Sequence, residues 1–157
     1  MKKTLLLFGL TLGFSVPAAN GLWTDAKDKT LPLDFQIQGE YIGELSCGCD
    51  FGAQVIALGG GQFQAVLYPG GLPGASWERG DKRSLLAGKL EGGKAVFTVA
   101  EGKRRYLAGT AGQFSATGKF PPDGHKAASA TIFKGKMTGT FGKKKFELER
   151  TLRKSPT

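Results

Sequence analysis

The sequence predicts an all-β domain, an antiparallel meander that closes into a barrel-like or sandwich fold with little helix. Short runs of β-branched and aromatic residues alternate with polar residues, as on strands that bury one face. The 25 glycines among 157 residues amount to more than twice the usual share of about 7% and fall between these runs, where turns are needed. No window after the first 21 residues has a sustained 3.6-residue apolar period with caps. An open meander of eight to ten strands would expose two edges, which closure or sandwiching removes.

The first 21 residues have the layout of a secretory signal peptide. Lys2 and Lys3 precede an uncharged run of about 12 residues, and small residues follow at Ala18, Ala19 and Gly21. This run is shorter than the roughly 20 apolar residues that span a bilayer. We therefore expect a signal peptide over 1–21, a single β domain over 22–152 and a tail over 153–157, in a periplasmic or secreted protein with no membrane span.

The predicted strands follow in order along the chain. The stretch DFQIQGEYIGEL from Asp34 alternates like one half-buried strand, with Gln36, Gln38 and Glu40 on its polar face. A turn over 46–52 precedes a hairpin that reverses at Gly59–Gly61. A further strand pair is expected around the turn at 91–93. Another is expected over 128–133 and 136–141, on either side of a two-residue loop at 134–135 whose Gly135 suits a primed turn. The residues expected in the core are Phe35, Ile37, Phe63, Leu67, Phe97, Val99, Phe146 and Leu148.

Two regions fit this pattern less well. Strands around Tyr106 and Phe114 are expected within an irregular stretch over 102–126. In the last strand, KKKFELERTL, Arg150 falls on the apolar side of the alternation, which suggests a strand end or a bulge at that residue.

No motif identifies a catalytic site, a metal site or a cofactor. The chain has no G-x-S-x-G, H-E-x-x-H, P-loop or G-x-G-x-x-G pattern. His125, the only histidine, follows a Pro-Pro-Asp-Gly turn, where an exposed loop position is expected. Glu40, Glu44 and Asp50 could form a hydrolytic carboxylate pair, but most surface strands carry such residues, and a solvated strand face is the preferred explanation. Whether the chain is an enzyme stays open at this point.

Cys47 and Cys49 bracket Gly48 in the first predicted turn. In an exported protein, oxidation to a local disulfide is the expected fate of such a pair, although the bridge would constrain little of the unfolded chain. Free thiols and half of a metal site completed by His125 or Asp50 are the alternatives.

Basic residues cluster late in the sequence, which has a formal net charge of +9. They suggest an acidic envelope polymer as a partner, rather than nucleic acid, for an exported protein. The alternative is that these lysines only protect a strand edge from pairing with other chains. The residues are Lys134, Lys136, Lys143, Lys144, Lys145, Arg150, Arg153 and Lys154.

The Pro/Gly-rich loop over 69–77 is the expected ligand site. Trp77 and Tyr68 would offer stacking surfaces to a sugar ring, and Gln62 or Gln64 would provide hydrogen bonds to its hydroxyls. The alternative is that Trp77 folds back and plugs one end of the β core.

Three segments, DFQIQGEY, AQVIALGGGQFQAVLYPGGLPGASW and the terminal LERTLRKSPT, carry a resemblance to a known family. Their order resembles the region after the signal peptide in exported proteins that carry a 3-keto-disaccharide hydrolase-type domain. In those proteins the region looks like an upstream accessory segment, and the catalytic sandwich that follows it is absent from this sequence. The resemblance implies an exported, non-catalytic, glycan-associated binding module linked to polysaccharide breakdown. A glycoside hydrolase of the 3-keto-disaccharide type and a structural envelope or interaction domain are the alternatives.

Overall fold

The structure is a computed structural model that describes residues 25, 28, 30–103, 119–120 and 126–152. The signal peptide expected over 1–21, His125, the strands expected around Tyr106 and Phe114, and the tail over 153–157 lie outside the described residues.

The predicted all-β, barrel-like fold is confirmed. Eight antiparallel strands form a closed barrel in the order β1-β10-β9-β8-β5-β4-β3-β2, and β6 and β7 pair separately. In chain order the described elements are α1 (Leu33–Ile37), β1 (Gly39–Leu45), β2 (Asp50–Gly59), β3 (Gln62–Pro69), β4 (Ser84–Glu91), β5 (Lys94–Val99), β6 (Gly102–Lys103), β7 (Lys119–Phe120), β8 (Ala128–Phe133), β9 (Lys136–Phe141) and β10 (Lys144–Thr151). Among these residues, no helix has the length and apolar character needed to cross a membrane.

The barrel closes where the last strand pairs with the first. β10 lies antiparallel to β1 from the pair Glu40 and Thr151 to the pair Leu45 and Phe146. Each of the eight barrel strands therefore has a partner on both sides. The lysines of β9 and β10 have no open edge to protect, so the edge-protection alternative is wrong for the barrel strands.

Short glycine turns connect most of the neighbouring strands. Lys134 and Gly135 form the predicted two-residue turn between β8 and β9, and both have positive φ angles of 48° and 78°. A turn with two positive φ angles matches the twist of a hairpin, and for this reason glycine is favoured in it. We call the barrel end with this turn and α1 the helix end. The opposite end, with the Cys47–Cys49 turn and the loop over 70–83, is the loop end.

Side chains fill the interior of the barrel, where glycine stands opposite aromatic residues. Gly88 is the register partner of both Phe63 and Phe97, and Gly139 is the partner of Phe146. A Cβ on Gly88 would overlap the Phe97 ring, and one on Gly139 would come within 2.8 Å of Phe146. Six of the eight predicted core residues are buried, and Val99 is half-buried against them; the buried ones are Ile37, Phe63, Leu67, Phe97, Phe146 and Leu148.

The strand expected from Asp34 is wrong over its first residues. Leu33–Ile37 form a short helix after Pro32, and the strand begins only at Gly39, which has a φ of 136°. Phe35 points outward with 46% of its surface exposed, whereas Ile37 reaches the core. The polar strand face expected for Gln36, Gln38 and Glu40 therefore does not form. Five residues are too few for periodicity to distinguish a helical turn from a strand.

Arg150 links β10 to the end of α1 by hydrogen bonds. β10 has no bulge at Arg150, because its pairing with β1 runs without a register shift, and the strand ends one residue later, at Thr151. Its guanidinium donates hydrogen bonds to the carbonyl oxygens of Gln38 (3.0 Å) and Phe35 (3.2 Å). These carbonyls lie at the end of α1, where the helix itself supplies no donors. An arginine occupies this position of the apolar alternation because its guanidinium supplies hydrogen bonds to the carbonyl oxygens at the end of α1.

Tyr41 is fully buried beside this contact. Its hydroxyl donates a hydrogen bond of 2.6 Å to the carbonyl oxygen of Ile37. Burial raises the pKa of the Tyr41 phenol to about 12, and the positive charge of Arg150 opposes that rise in part.

Candidate functional site: the outer groove beside the Pro69–Trp77 loop

The loop over 70–77 folds back onto the outside of the barrel. Leu72 is buried against the outer face at Gly52, where a Cβ would lie 2.9 Å from the Leu72 side chain. The backbone amide of Trp77 donates to the carbonyl oxygen of Leu72 (3.3 Å) and so closes the loop on itself. The absence of a side chain at Gly52 is therefore what lets the loop lie directly on β2.

Trp77 contacts Tyr68 on the outer face of β3. The two ring centroids are 5.3 Å apart at an interplanar angle of 73°, an edge-to-face contact, and Trp77 is half-buried. Its Nε1 is buried and has no hydrogen-bond partner among the described residues. Trp77 thus covers the outside of the sheet, so the alternative in which it plugs an end of the core is wrong.

Tyr68 lies beneath Trp77 and is buried by it. Only 6% of Tyr68 is exposed, and its hydroxyl donates to Gln54 Oε1 (2.7 Å). Gln54 Nε2 in turn donates to Glu40 Oε1 (2.9 Å), so a line of polar side chains crosses three strands. The Tyr68 ring is enclosed in this arrangement and offers little stacking surface to a ligand.

Gln62 and Gln64 share the outer face of β3 with Tyr68 but lie far from the loop. Gln62 is six residues from Tyr68, or roughly 20 Å along an extended strand. Gln64 is half-buried four residues away from Tyr68. The structure brings Tyr68 and Trp77 together and separates both glutamines from them.

A groove of about 820 Å³ lies on the other side of the loop. Its floor is the outer face of β1 and β10, and residues 71–76 form one wall. Its lining residues besides glycine are apolar at Ile42, Phe51, Leu72 and Ala75, hydroxyl-bearing at Ser76 and Thr151, carboxylates at Glu44, Asp50, Glu147 and Glu149, and cationic at Arg150.

Strand register concentrates the negative charge in this groove. Glu44 is the register partner of Glu147 on one side and of Asp50 on the other. Like charges at directly opposed positions destabilise a sheet. Lys136 relieves part of this repulsion through its Nζ, which lies 2.7 Å from Glu147 Oε1 and 3.6 Å from Glu149 Oε1. The contact with Glu147 is the main reason that the pKa of Lys136 is raised.

These carboxylates can accept hydrogen bonds but are not arranged to hold a metal. No group of three or more His, Cys, Asp or Glu side chains suited to a metal ion occurs in the described part of the chain. Ionised carboxylates accept hydrogen bonds from hydroxyl or ammonium groups. Glu40, the third carboxylate considered from the sequence, instead accepts from Gln54.

The Cys47–Cys49 turn lies at the loop end. The two cysteines form a disulfide with each other, and both are exposed. Lys144, at the start of β10, places its Nζ 3.0 Å from Cys47 Sγ.

Sequence reasoning missed the contribution of β10 to the groove. The alternation in KFELER already placed Glu147 and Glu149 on the outer face. It did not show that β10 pairs with β1, which is what brings these carboxylates opposite Glu44.

No family model matches the chain, and neither do any curated proteins or solved structures.

Proposed function

We propose that this chain is an exported, non-catalytic β-barrel module that binds a neutral polysaccharide in the groove beside the Pro69–Trp77 loop. The observation that supports this best is the lining of the groove, where carboxylates and hydroxyls lie beside apolar residues. A sugar ring combines hydroxyl donors with an apolar C–H face, and binding sites generally combine a few polar groups with apolar walls. The proposal places the module among proteins of polysaccharide breakdown, as the family resemblance implies.

Because the interior of the barrel is filled by side chains, a ligand can bind only on its outer surface. Barrels that carry small ligands inside need a cavity, whereas Tyr41, Phe63, Phe97 and Leu148 occupy this interior. A ligand of this barrel therefore binds outside, and a groove open along its length suits a polymer.

The charge of the groove favours a neutral polymer over an acidic one. Four carboxylates line the groove against one cation, Arg150, whose guanidinium donates to the carbonyl oxygens of Gln38 and Phe35. The groove would therefore repel the carboxylates or phosphates of an acidic envelope polymer. An acidic polymer would instead meet the exposed lysines at 143–145, near the loop end.

Affinity electrophoresis in gels that contain a soluble neutral polysaccharide tests the proposal. We expect the parent protein to be retarded and Glu44→Gln and Asp50→Asn to be retarded less. The loss of charge-assisted hydrogen bonds should weaken binding by about tenfold. Glu91→Gln is the matched control, because Glu91 is an exposed strand carboxylate at the helix end.

Equal retardation of all variants, or retardation only in gels that contain an acidic polymer, would contradict the proposal. The same proteins distinguish binding from hydrolysis. Release of reducing sugar by the parent that is abolished in Glu44→Gln would favour the glycoside hydrolase alternative.

A further inference from the structure

The Cys47–Cys49 disulfide has three features that a merely structural bridge does not need: it is exposed, its turn is held by backbone hydrogen bonds, and its two sulfur atoms have different surroundings. It lies at the tip of the β1–β2 turn, where Ser46, Cys47, Gly48 and Cys49 are all exposed. Gly48 has a φ of 72°, and a Cβ there would meet no atom within 4 Å. Both cysteines are therefore accessible to another molecule, and the Lys144 ammonium lies against Cys47 alone.

The turn is held in place without the disulfide. The amide of Leu45 donates to the carbonyl oxygen of Cys49 (2.9 Å), and that of Gly48 donates to the carbonyl oxygen of Leu45 (2.8 Å). Ser46 adds a third hydrogen bond, to the carbonyl oxygen of Lys145 (2.8 Å). A bridge between residues two apart also removes little freedom from the unfolded chain. The Cys47–Cys49 disulfide consequently contributes little to the stability of the fold, which leaves it available for a chemical role.

The two sulfur atoms have different electrostatic surroundings. The Lys144 ammonium lies 3.0 Å from Cys47 Sγ, whereas Asp50 directly follows Cys49. A neighbouring cation stabilises a thiolate, and a carboxylate destabilises one. Cys47 is therefore the better leaving group and Cys49 the sulfur that a nucleophile attacks.

We infer that Cys47 and Cys49 form a thiol–disulfide exchange site that oxidises exposed dithiols of other proteins. A thiolate of the donor attacks Cys49 Sγ; a mixed disulfide forms, and the Cys47–Cys49 bond breaks with Cys47 leaving as a thiolate beside Lys144. The second donor thiol loses its proton to solvent and attacks the donor sulfur of the mixed disulfide, which releases Cys49. The two cysteine thiolates then take up two protons. Two electrons pass from the donor dithiol, which becomes a disulfide, to this bond, which becomes a dithiol.

The test uses the oxidised protein and a reduced peptide that contains two cysteines, and it follows formation of the peptide disulfide by mass spectrometry. Lys144→Met should slow the exchange by about three- to tenfold, because the leaving ability of a thiol falls as its pKa rises. Lys143→Met is the matched control, since Lys143 is the exposed lysine that directly precedes Lys144. An unchanged rate in Lys144→Met, or equal slowing by both variants, overturns the inference.

Two further measurements separate an exchange site from a structural bridge. In the reduced protein, alkylation by iodoacetamide should give Cys47 a pKa below the usual value of about 8.5, and Lys144→Met should raise it. The double variant Cys47→Ser, Cys49→Ser should melt within about 2 °C of the parent, since so short a bridge constrains the unfolded chain little. An ordinary Cys47 pKa, or a large fall in melting temperature of the double variant, would show that the bridge is structural only.

Discussion

Gly88→Ala should destabilise the barrel because of the ring that faces it. Gly88 lies on β4 opposite Phe97 on β5, and both Phe97 and Phe63 are almost completely buried. The two rings contact each other with centroids 6.2 Å apart, which leaves neither free to move away from an added methyl group. The new Cβ would overlap the Phe97 ring.

Two opposing effects set the size of the change. Overpacking a core costs about 1–3 kcal/mol. Replacing glycine restricts the unfolded chain and returns about 0.4–1 kcal/mol. The packing cost is larger, so we expect a net loss of roughly 1–2 kcal/mol from the free energy of unfolding. For a domain of this size that corresponds to a melting temperature lower by about 4–8 °C.

Urea unfolding followed by tryptophan fluorescence measures this loss, and Ala87→Ser is the comparison. Ala87 directly precedes Gly88 on β4, and its side chain is exposed on the outside of the barrel. We expect Ala87→Ser to change stability by less than about 0.5 kcal/mol.

A double-mutant cycle with Phe97→Leu then tests the contact itself. The smaller side chain leaves room for the methyl group, so the two substitutions should couple favourably by about 0.5–3 kcal/mol. Additive effects, or a Gly88→Ala protein as stable as the parent, would refute the proposed packing.

Three further predictions concern Tyr41, Arg150 and Trp77. An unfolded tyrosine ionises near pH 10 and the folded Tyr41 near 12, so the stabilisation is complete below pH 10 and is lost as the pH rises to 12. Relative to Tyr41→Phe, the free energy of unfolding should fall by roughly 3 kcal/mol over that range, and a flat difference would contradict the burial argument. Arg150→Met should lower stability by about 1–3 kcal/mol and speed hydrogen exchange in α1, whereas unchanged exchange would show that its two hydrogen bonds do not hold the helix. Trp77→Ala should lower the melting temperature by a few degrees through loss of the Tyr68 contact, and an unchanged value in calorimetry would show that the loop does not rest on the ring.

The sequence identified the elements whose signals are local. β8 and β9 have the predicted bounds, because a run of alternating residues on each side of Lys134–Gly135 specifies both the strands and the turn. The core residues followed from the same alternation, since a strand with one buried face repeats every two residues.

Long-range contacts explain the errors. α1 is stabilised by Ile37 in the core and by Arg150, which lies 112 residues after Gln38, and neither contact can be read from five residues of sequence. The candidate groove depends on the pairing of β1 with β10 and on the path of the loop over 70–77. The sequence predicted a ligand site at Tyr68 and Trp77, but not that Tyr68 would be enclosed beneath Trp77.

The closing pair of strands also determines where a fused polypeptide would leave the barrel. β1 begins and β10 ends at the helix end, where Glu40 stands opposite Thr151. A polypeptide fused before Gly39 or after Thr151 would therefore leave from the same end of the molecule. The Cys47–Cys49 turn and the loop over 70–83 would then point away from the attachment point, which places both where a second molecule can approach without passing the tether.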